Sequence, residues 1–368
     1  MDSGQRRGAA VALLSGGLDS TLAVKMMVDQ GIGLTAVHFT SPFCNCSPRK
    51  AGCQHQARKV AAEFGVPIRV VTKGMDYMRI VEKAPHGYGR GMNPCIDCRI
   101  YMLRKVAGMM DEIGASFVVT GEVLGQRPMS QHRQTIELIE RESGLAGRIL
   151  RPLSAHLFPP TLPEIEGIVE RGRLLAIAGR SRRDQIALAE ELGVRDYPCP
   201  AGGCLLTDPE IAGRLRDLIA HVPDYGPRDL VLLTLGRHFR LSPALRVVLG
   251  RSQAEDERLA ALAAPGDAVF APENFRGPTL LAVGVMDPVS ERWIGEMIPA
   301  HSQDDRDSYR VRKEIVGNGL SGGTAVGGVP RRAFAALRIG GAGAKQARGT
   351  GAFPHEEMRS GTPEGLGK

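Results

Sequence analysis

Two cysteines three residues apart, Cys95 and Cys98 in "NPCIDCR", open a helical pattern, and Cys204 follows far downstream in "AGGCLLTD". A C-x-x-C at a helix start can bind metal, cycle through a disulfide or present a thiolate, since the helix N-terminus favours anionic sulfur. The other chemistry-bearing stretch is "LLSGGLDSTLAV", where an apolar strand turns through Gly16 and Gly17 into a helix. Unpaired backbone N–H groups and the helix dipole then converge on one point, a geometry that suits phosphate. No lysine follows the glycines, so the Walker pattern is absent. Ser15 and Ser20 offer hydroxyls instead. Asp19 would repel phosphate, so it is read as a magnesium ligand or a helix cap. Cys44, Cys46 and Cys53 in "PFCNCSPRKAGC" could take zinc with Cys199 or His55, but the spacing is not a strong zinc pattern, and they carry no assigned role.

Positioning such groups takes a scaffold, and the first half of the chain supplies one. "AAVALLSGG", "GLTAVHFT", "PIRVVTK" and "SFVVTGE" are short apolar strands, separated by helical stretches that include "HQARKVAAEFG" and "CRIYMLRKVAGMMDEIG". Continuous apolar strands alternating with helices predict an α/β, doubly wound parallel sheet covered on both faces. Ligands in such sheets bind beyond the carboxyl ends of the strands. "SGGLDS", "PFCNCS" and "TGEVLGQR" each follow a strand, so one shared site is expected. A proline-rich break, "HLFPPTLPE", precedes a helical segment expected over roughly 164–192. After about Tyr225 short strands and the helix "SQAEDERLAALA" predict a smaller α+β domain. From about Gly317 the chain is rich in Gly, Ala and Arg without apolar periodicity, and a disordered tail over 317–368 is expected.

At 368 residues, with 43% apolar and 24% charged positions, the chain reads as two folded units plus a tail. No apolar run approaches the roughly 18 residues that span a bilayer, and no signal-peptide pattern opens the chain, so a cytoplasmic enzyme without membrane contact is the expectation. The seven cysteines are clustered, which favours metal or catalytic thiols over a disulfide framework. The formal charge of +7 is concentrated late: residues 311–368 hold nine Lys/Arg against four Asp/Glu. Basicity alone is thus weak evidence for RNA.

Taken whole, "LLSGGLDSTLAV" resembles the SGGxDS signature of PP-loop ATP pyrophosphatases. That resemblance implies ATP binding at Ser15, Gly16, Gly17, Asp19 and Ser20, magnesium, and cleavage between the α and β phosphates. "NPCIDCRIYML" resembles the asparagine–proline–x–x–x–cysteine element of tRNA-specific 2-thiouridylases, with Cys98 on the catalytic cysteine. "AGGCLLTD" places Cys204 on their sulfur-bearing cysteine. "FVVTGEVLGQR" is similar to their threonine–glycine–histidine strand end, with Thr120 and Gly121 matched and Glu122 in place of the histidine. "HGYGRGMNPCIDCR", "GEVLGQRPMSQH" and "GRSRRDQ" look most like a branch of predicted tRNA thiouridine synthetases. The likeness covers roughly Ala10 to Leu218, within a PP-loop domain expected over 8–218. Cys95 departs from the two-cysteine pattern. Cys95, Cys98 and Cys204 together could hold a four-iron, four-sulfur cluster, as iron–sulfur-dependent tRNA thiolases do. The rival is a persulfide on Cys204, resolved by Cys98. Arg127, adjoining the fourth strand, is expected near phosphate or RNA, and Arg180, Arg182 and Arg183 fit a phosphate-rich site.

"LGRHFRLSPALRVVLGRSQAEDERL" resembles the NFACT-R RNA-binding domain over roughly Arg228 to Asp305, within a domain expected over 228–310. Arg237, His238, Arg240 and Arg251 are its candidate phosphate contacts. The resulting expectation is an ATP-dependent tRNA sulfurtransferase that adenylates a uridine carbonyl oxygen and replaces it with sulfur at position 2 or 4. Its partners would be tRNA and a sulfur donor, either hydrosulfide or a persulfide carrier protein, and a homodimer is compatible. The alternatives are a nitrogen-type PP-loop ligase acting on a small molecule, such as a deazaguanine nitrile synthase with zinc on the cysteines, and a noncatalytic RNA-binding protein.

Overall fold

A computed structural model describes residues 8–44, 53–195, 197, 203–319 and 321–340, with the backbone alone described at Cys53. The chain divides into two compact units, residues 1–212 and 213–368.

The first unit is an α/β fold. Its elements are β1 (Ala9–Leu13), α1 (Leu18–Val28), β2 (Gly33–Thr40), α2 (Cys53–Glu63), β3 (Ile68–Thr72), α3 (Met75–Glu82), α4 (Cys95–Ile113), β4 (Phe117–Thr120), α5 (Arg133–Ser143), β5 (Ile149–Leu150), α6 (Leu162–Ile165) and α7 (Arg183–Glu191). The five strands are parallel in the order β3-β2-β1-β4-β5. Alternation along β1 shows why both faces are covered. Ala10 and Ala12 join the core with α1 and α2, while Val11 and Leu13 face the core with α4 and α5. The strand order reverses between β1 and β4, which pair through Leu13 and Thr120. A crevice therefore opens beyond the carboxyl ends of these two strands.

The second unit begins within α8 (Pro209–His221). It continues with α9 (Pro227–Leu232), β6 (Arg237–Ser242), β7 (Leu245–Leu249), α10 (Gln253–Leu262), β8 (Ala268–Pro272), β9 (Leu280–Gly284), α11 (Pro288–Ala300), β10 (Tyr309–Ile315) and β11 (Ser321–Val326). Its strands form an antiparallel six-stranded sheet, β11-β10-β8-β9-β7-β6. One face packs on α11 and the other on α9 and α10.

Two expectations need correction. The tail does not begin at 317: β11 pairs with β10 over six residues, and a 3₁₀ turn at Arg331–Leu337 buries Phe334 in the second core. The remaining expected tail, 341–368, lies outside the described residues. The segment expected to be helical over 164–192 is α-helical only at its two ends, with a single 3₁₀ turn at Arg171–Arg173 between them. Gly167 and Gly179 sit at φ +69° and +86°, outside the helical region, and after the 3₁₀ turn Leu175 N and Ile177 N donate to the Pro152 and Leu153 carbonyls. Helices α3, α5, α8, α9 and α11 were not read from the sequence.

Candidate active site

The turn after β1 is shaped by its own residues. Gly16 adopts φ +78°, a left-handed conformation that suits glycine. The Ser15 and Ser20 hydroxyls lie 3.0 Å apart, and Ser20 Oγ donates to the Gly17 carbonyl at 2.9 Å. Gly17 caps α1 without a side chain, so the first-turn N–H groups are left to meet an anion.

Asp19 is therefore not the helix cap. It lies in the first turn, largely buried, and its Oδ2 accepts from Gln126 Nε2 at 3.0 Å. Its Oδ1 is buried with no hydrogen-bond partner among the described residues. Burial lifts its pKa above the usual value, while Gln126, Arg182 and Arg127 pull the other way. An orphaned buried carboxylate oxygen beside a phosphate-shaped turn fits a magnesium ion.

The end of β4 closes against this turn. A Cβ on Gly121 would stand 2.5 Å from Asp19 C and Ser20 N, so the two backbones meet where only glycine fits. The next residue, Glu122, is buried between Arg99 Nε at 2.9 Å and Arg151 Nε at 3.0 Å, with Thr120 Oγ1 donating at 3.3 Å. Burial opposes its charge, but the two guanidiniums win and hold its pKa below the usual value. Arg151 also pairs with Glu140 on α5.

The thiols of Cys95, Cys98 and Cys204 come from two segments. Cys95 and Cys98 start α4, with Cys98 N donating to Pro94 O at 2.7 Å. Lys73, immediately after β3, donates from Nζ to Cys98 Sγ at 3.0 Å. Cys95 Sγ donates to Asn93 Oδ1 at 3.2 Å. The Cys204 segment is delivered by backbone pairing: Met92 N donates to Leu206 O at 2.9 Å, and Leu205 N to Phe43 O at 2.8 Å. A side chain on Gly91 would collide with Leu206 O. Burial raises Cys95, and it pushes Cys204 up to about 11, with Cys98 and Cys95 adding to the rise and Lys73 opposing it. Tyr77 is raised as well, by burial first and by Cys98 second.

A cavity of about 340 Å³ joins these parts. Ser15, Gly17, Asp19, Ser20, Thr120, Gly121 and Arg127 line one part, and Cys95, Cys98, Cys204 and Cys44 another. Arg182 also lines it, with Nη2 3.9 Å from Asp19 Oδ2. Sequence reading missed Lys73, Tyr77, Arg99 and Gln126, and left Cys44 without a role. The position of Lys73 after an apolar strand was legible, but its contact with Cys98 was not. Among the described residues no three His, Cys, Asp or Glu side chains are placed to hold a single metal ion. Cys46 and the Cys53 side chain, which the zinc reading would need, and Cys199, its alternative to His55 as fourth ligand, lie outside the described residues. Among the described residues no helix is long and apolar enough to cross a membrane.

In the second unit, His238 cannot meet phosphate. It is fully buried against the carbonyls of Leu232 and Leu235, each 3.0 Å from Nε2, and burial holds its pKa well below 6.5. Arg240 is engaged by Asp217, with Nη2–Oδ2 at 2.5 Å. Arg237 keeps basic company: burial and then Arg331, Arg251 and Arg338 lower its pKa.

Residues 5–156 match the family model described as "Thiamine biosynthesis protein (ThiI)", and residues 236–313 match "NFACT protein RNA binding domain". A tRNA-specific 2-thiouridylase MnmA of Frankia alni is 27% identical over 246 residues, covering 62% of this chain and 64% of that protein. A probable tRNA sulfurtransferase of Methanothermobacter thermautotrophicus is 31% identical over 124 residues, covering 33% and 30%. The chain thus spans less than two thirds of either relative's length. Among solved structures, a 4-thiouridine synthetase–RNA complex with bound ATP is 25% identical, covers 51% of this chain and 52% of that one, and has a TM-score of 0.33.

Proposed function

We propose, from a chain that carries a ThiI-like PP-loop domain followed by an NFACT-type RNA-binding domain, that it is an ATP-dependent tRNA sulfurtransferase. One observation carries this reading: the Ser15–Ser20 turn, Asp19 and the three thiols of Cys95, Cys98 and Cys204 line one cavity. ATP in that cavity would set its phosphates on the first-turn N–H groups of α1. Ser15 and Ser20 would donate to phosphate oxygens, and Arg127 and Arg182 would balance the charge that builds there. A uridine carbonyl oxygen attacks the α-phosphorus, pyrophosphate leaves, and sulfur then displaces AMP. Asp19 would hold a magnesium ion there, and the ion when bound would supply charge neutralisation.

The sulfur half has two readings. Cys95, Cys98 and Cys204 line the same cavity, and in the first reading they would hold a four-iron cluster, which would supply a Lewis-acidic iron for the sulfur donor. The second reading keeps sulfur on Cys204 as a persulfide, and the pairing of Cys44 with Cys204 favours it. Lys73, at 3.0 Å from Cys98 Sγ, then places positive charge where sulfur chemistry develops anionic character. RNA phosphates would meet the arginines around Arg237 in the second unit.

The test is nucleoside analysis of tRNA from a strain deleted for this chain. Loss of one thiolated uridine is expected, restored by the wild type and not by Cys204→Ser. An unchanged thionucleoside profile refutes the reading. Stoichiometric iron with acid-labile sulfide in anaerobically purified protein would select the cluster over the persulfide.

A further inference from the structure

Cys44 and Cys204 are backbone partners in an isolated antiparallel bridge. The hydrogen bond that defines it, Leu205 N to Phe43 O at 2.8 Å, joins the residues flanking the pair rather than the pair itself. Cys44 and Cys204 are thus a non-hydrogen-bonded antiparallel pair. In such a pair the Cα atoms stand about 4.5 Å apart and both side chains leave the same face. That separation lies within the roughly 4.4–6.8 Å a disulfide requires. Both residues are thiols, and both line the cavity. Cys98, the other candidate partner for Cys204, sits on the first turn of α4 with Lys73 Nζ at 3.0 Å, and no backbone bridge pairs it with Cys204 among the described residues.

We propose that Cys44 is the resolving thiol for Cys204, closing a Cys44–Cys204 disulfide at the end of each sulfur transfer. This rests on the persulfide reading above. The terminal sulfur of the Cys204 persulfide bonds to the adenylated carbon and AMP leaves, so the base is held by a disulfide to Cys204. The Cys44 thiolate attacks Cys204 Sγ. The Cys44–Cys204 bond forms, the bond to the transferred sulfur breaks, and that sulfur leaves on the base as the thiocarbonyl. The cysteine pair is oxidised by two electrons and the transferred sulfur is reduced by two. An external dithiol then returns the pair to thiols and is itself oxidised to a disulfide.

The first measurement needs no variant. Full-length protein is oxidised with an aromatic disulfide, alkylated, digested and mapped by mass spectrometry. A Cys44–Cys204 peptide is expected as the main linkage of Cys204. A Cys98–Cys204 linkage, or iron bound through Cys204, overturns the proposal. The second measurement uses persulfidated protein with ATP and tRNA and no added reductant. Cys44→Ser should release at least tenfold less thiolated tRNA and accumulate a protein–tRNA adduct that dithiothreitol cleaves, with ATP-induced thermal stabilisation unchanged. Cys44→Ala should behave alike. Full release by both variants, or adduct accumulation in Cys98→Ser instead, overturns it. If wild type makes neither product nor adduct while the Cys44–Cys204 link still forms, the sulfurtransferase reading fails and the resolving role falls with it. If wild type is active and the link is absent, only the resolving role falls.

Discussion

Gly121→Ala is the sharpest single test of how the site is built. The added Cβ would meet Asp19 C and Ser20 N at 2.5 Å and Asp19 O at 2.6 Å, all backbone atoms. No rotamer change relieves such a clash. Ordinary contact is restored only if the end of β4 or the first turn of α1 retreats by roughly 1 Å, since carbon contacts are optimal near 3.5–4.0 Å. Both segments are packed into the central sheet, so the cost is that of an overpacked core, about 1–3 kcal/mol. For a unit of this size that lowers Tm by roughly 2–12 °C, at about 2–4 °C per kcal/mol. The functional loss should exceed the stability loss, because a displacement of about 1 Å at a positioning group costs on the order of 100-fold in rate. Thermal unfolding and ATP–pyrophosphate exchange measure the two effects separately. Gly108→Ala is the control: it lies inside α4 with nothing within 4 Å of the new Cβ. Alanine there should stabilise by roughly 0.5–1 kcal/mol. If Gly121→Ala matches wild type in Tm and exchange rate, the backbone contact between β4 and α1 is wrong.

Three further outcomes follow from the same geometry. Glu122→Ala leaves Arg99 and the buried Arg151 without their shared carboxylate, and chemical denaturation should show a loss of about 3–5 kcal/mol. Asp19→Asn removes an orphaned buried charge, so without nucleotide or magnesium the variant should melt higher than wild type. Pyrophosphate exchange should nevertheless be lost, and a lower Tm would contradict the orphaned charge. His238 stays neutral in the folded second unit, while the unfolded chain binds a proton below about pH 6.5. Its contribution to stability is therefore present above that pH and is lost as pH falls, at up to about 1.4 kcal/mol per pH unit. Denaturation from pH 7.5 to 5 should show that slope in wild type and a shallower one in His238→Gln.

The parts legible in the sequence were local. "AAVALLSGG" states strand, turn and helix within a dozen residues, and the apolar runs around it announce a sheet covered on both sides. Cys95 and Cys98 declare their helix start in the same way. The missing parts depend on contacts between distant segments. Cys44 and Cys204 are neighbours only because Phe43 and Leu205 share a hydrogen bond across more than 150 residues of chain. Lys73 looks like any lysine after a strand until α4 brings Cys98 to it. His238 reads as a surface base because it lies among arginines. In fact β6 turns both His238 and Phe239 inward, and carbonyls rather than water receive the imidazole. The segment after 317 lacks apolar periodicity, yet β10 supplies a ladder that its glycines can join.

Glu122 has a consequence for how the two halves of the cavity communicate. It follows Gly121, which touches the nucleotide turn, and it grips Arg99, which follows Cys98. The nucleotide turn and the thiol-bearing helix are thus joined by a linkage two residues long on each side and clamped by one ion pair, with Arg151 as its fixed anchor. A shift of the turn after β1 would thus have a short covalent and ionic route to Cys98, and the rate of Cys98 alkylation with and without ATP measures whether the route carries it.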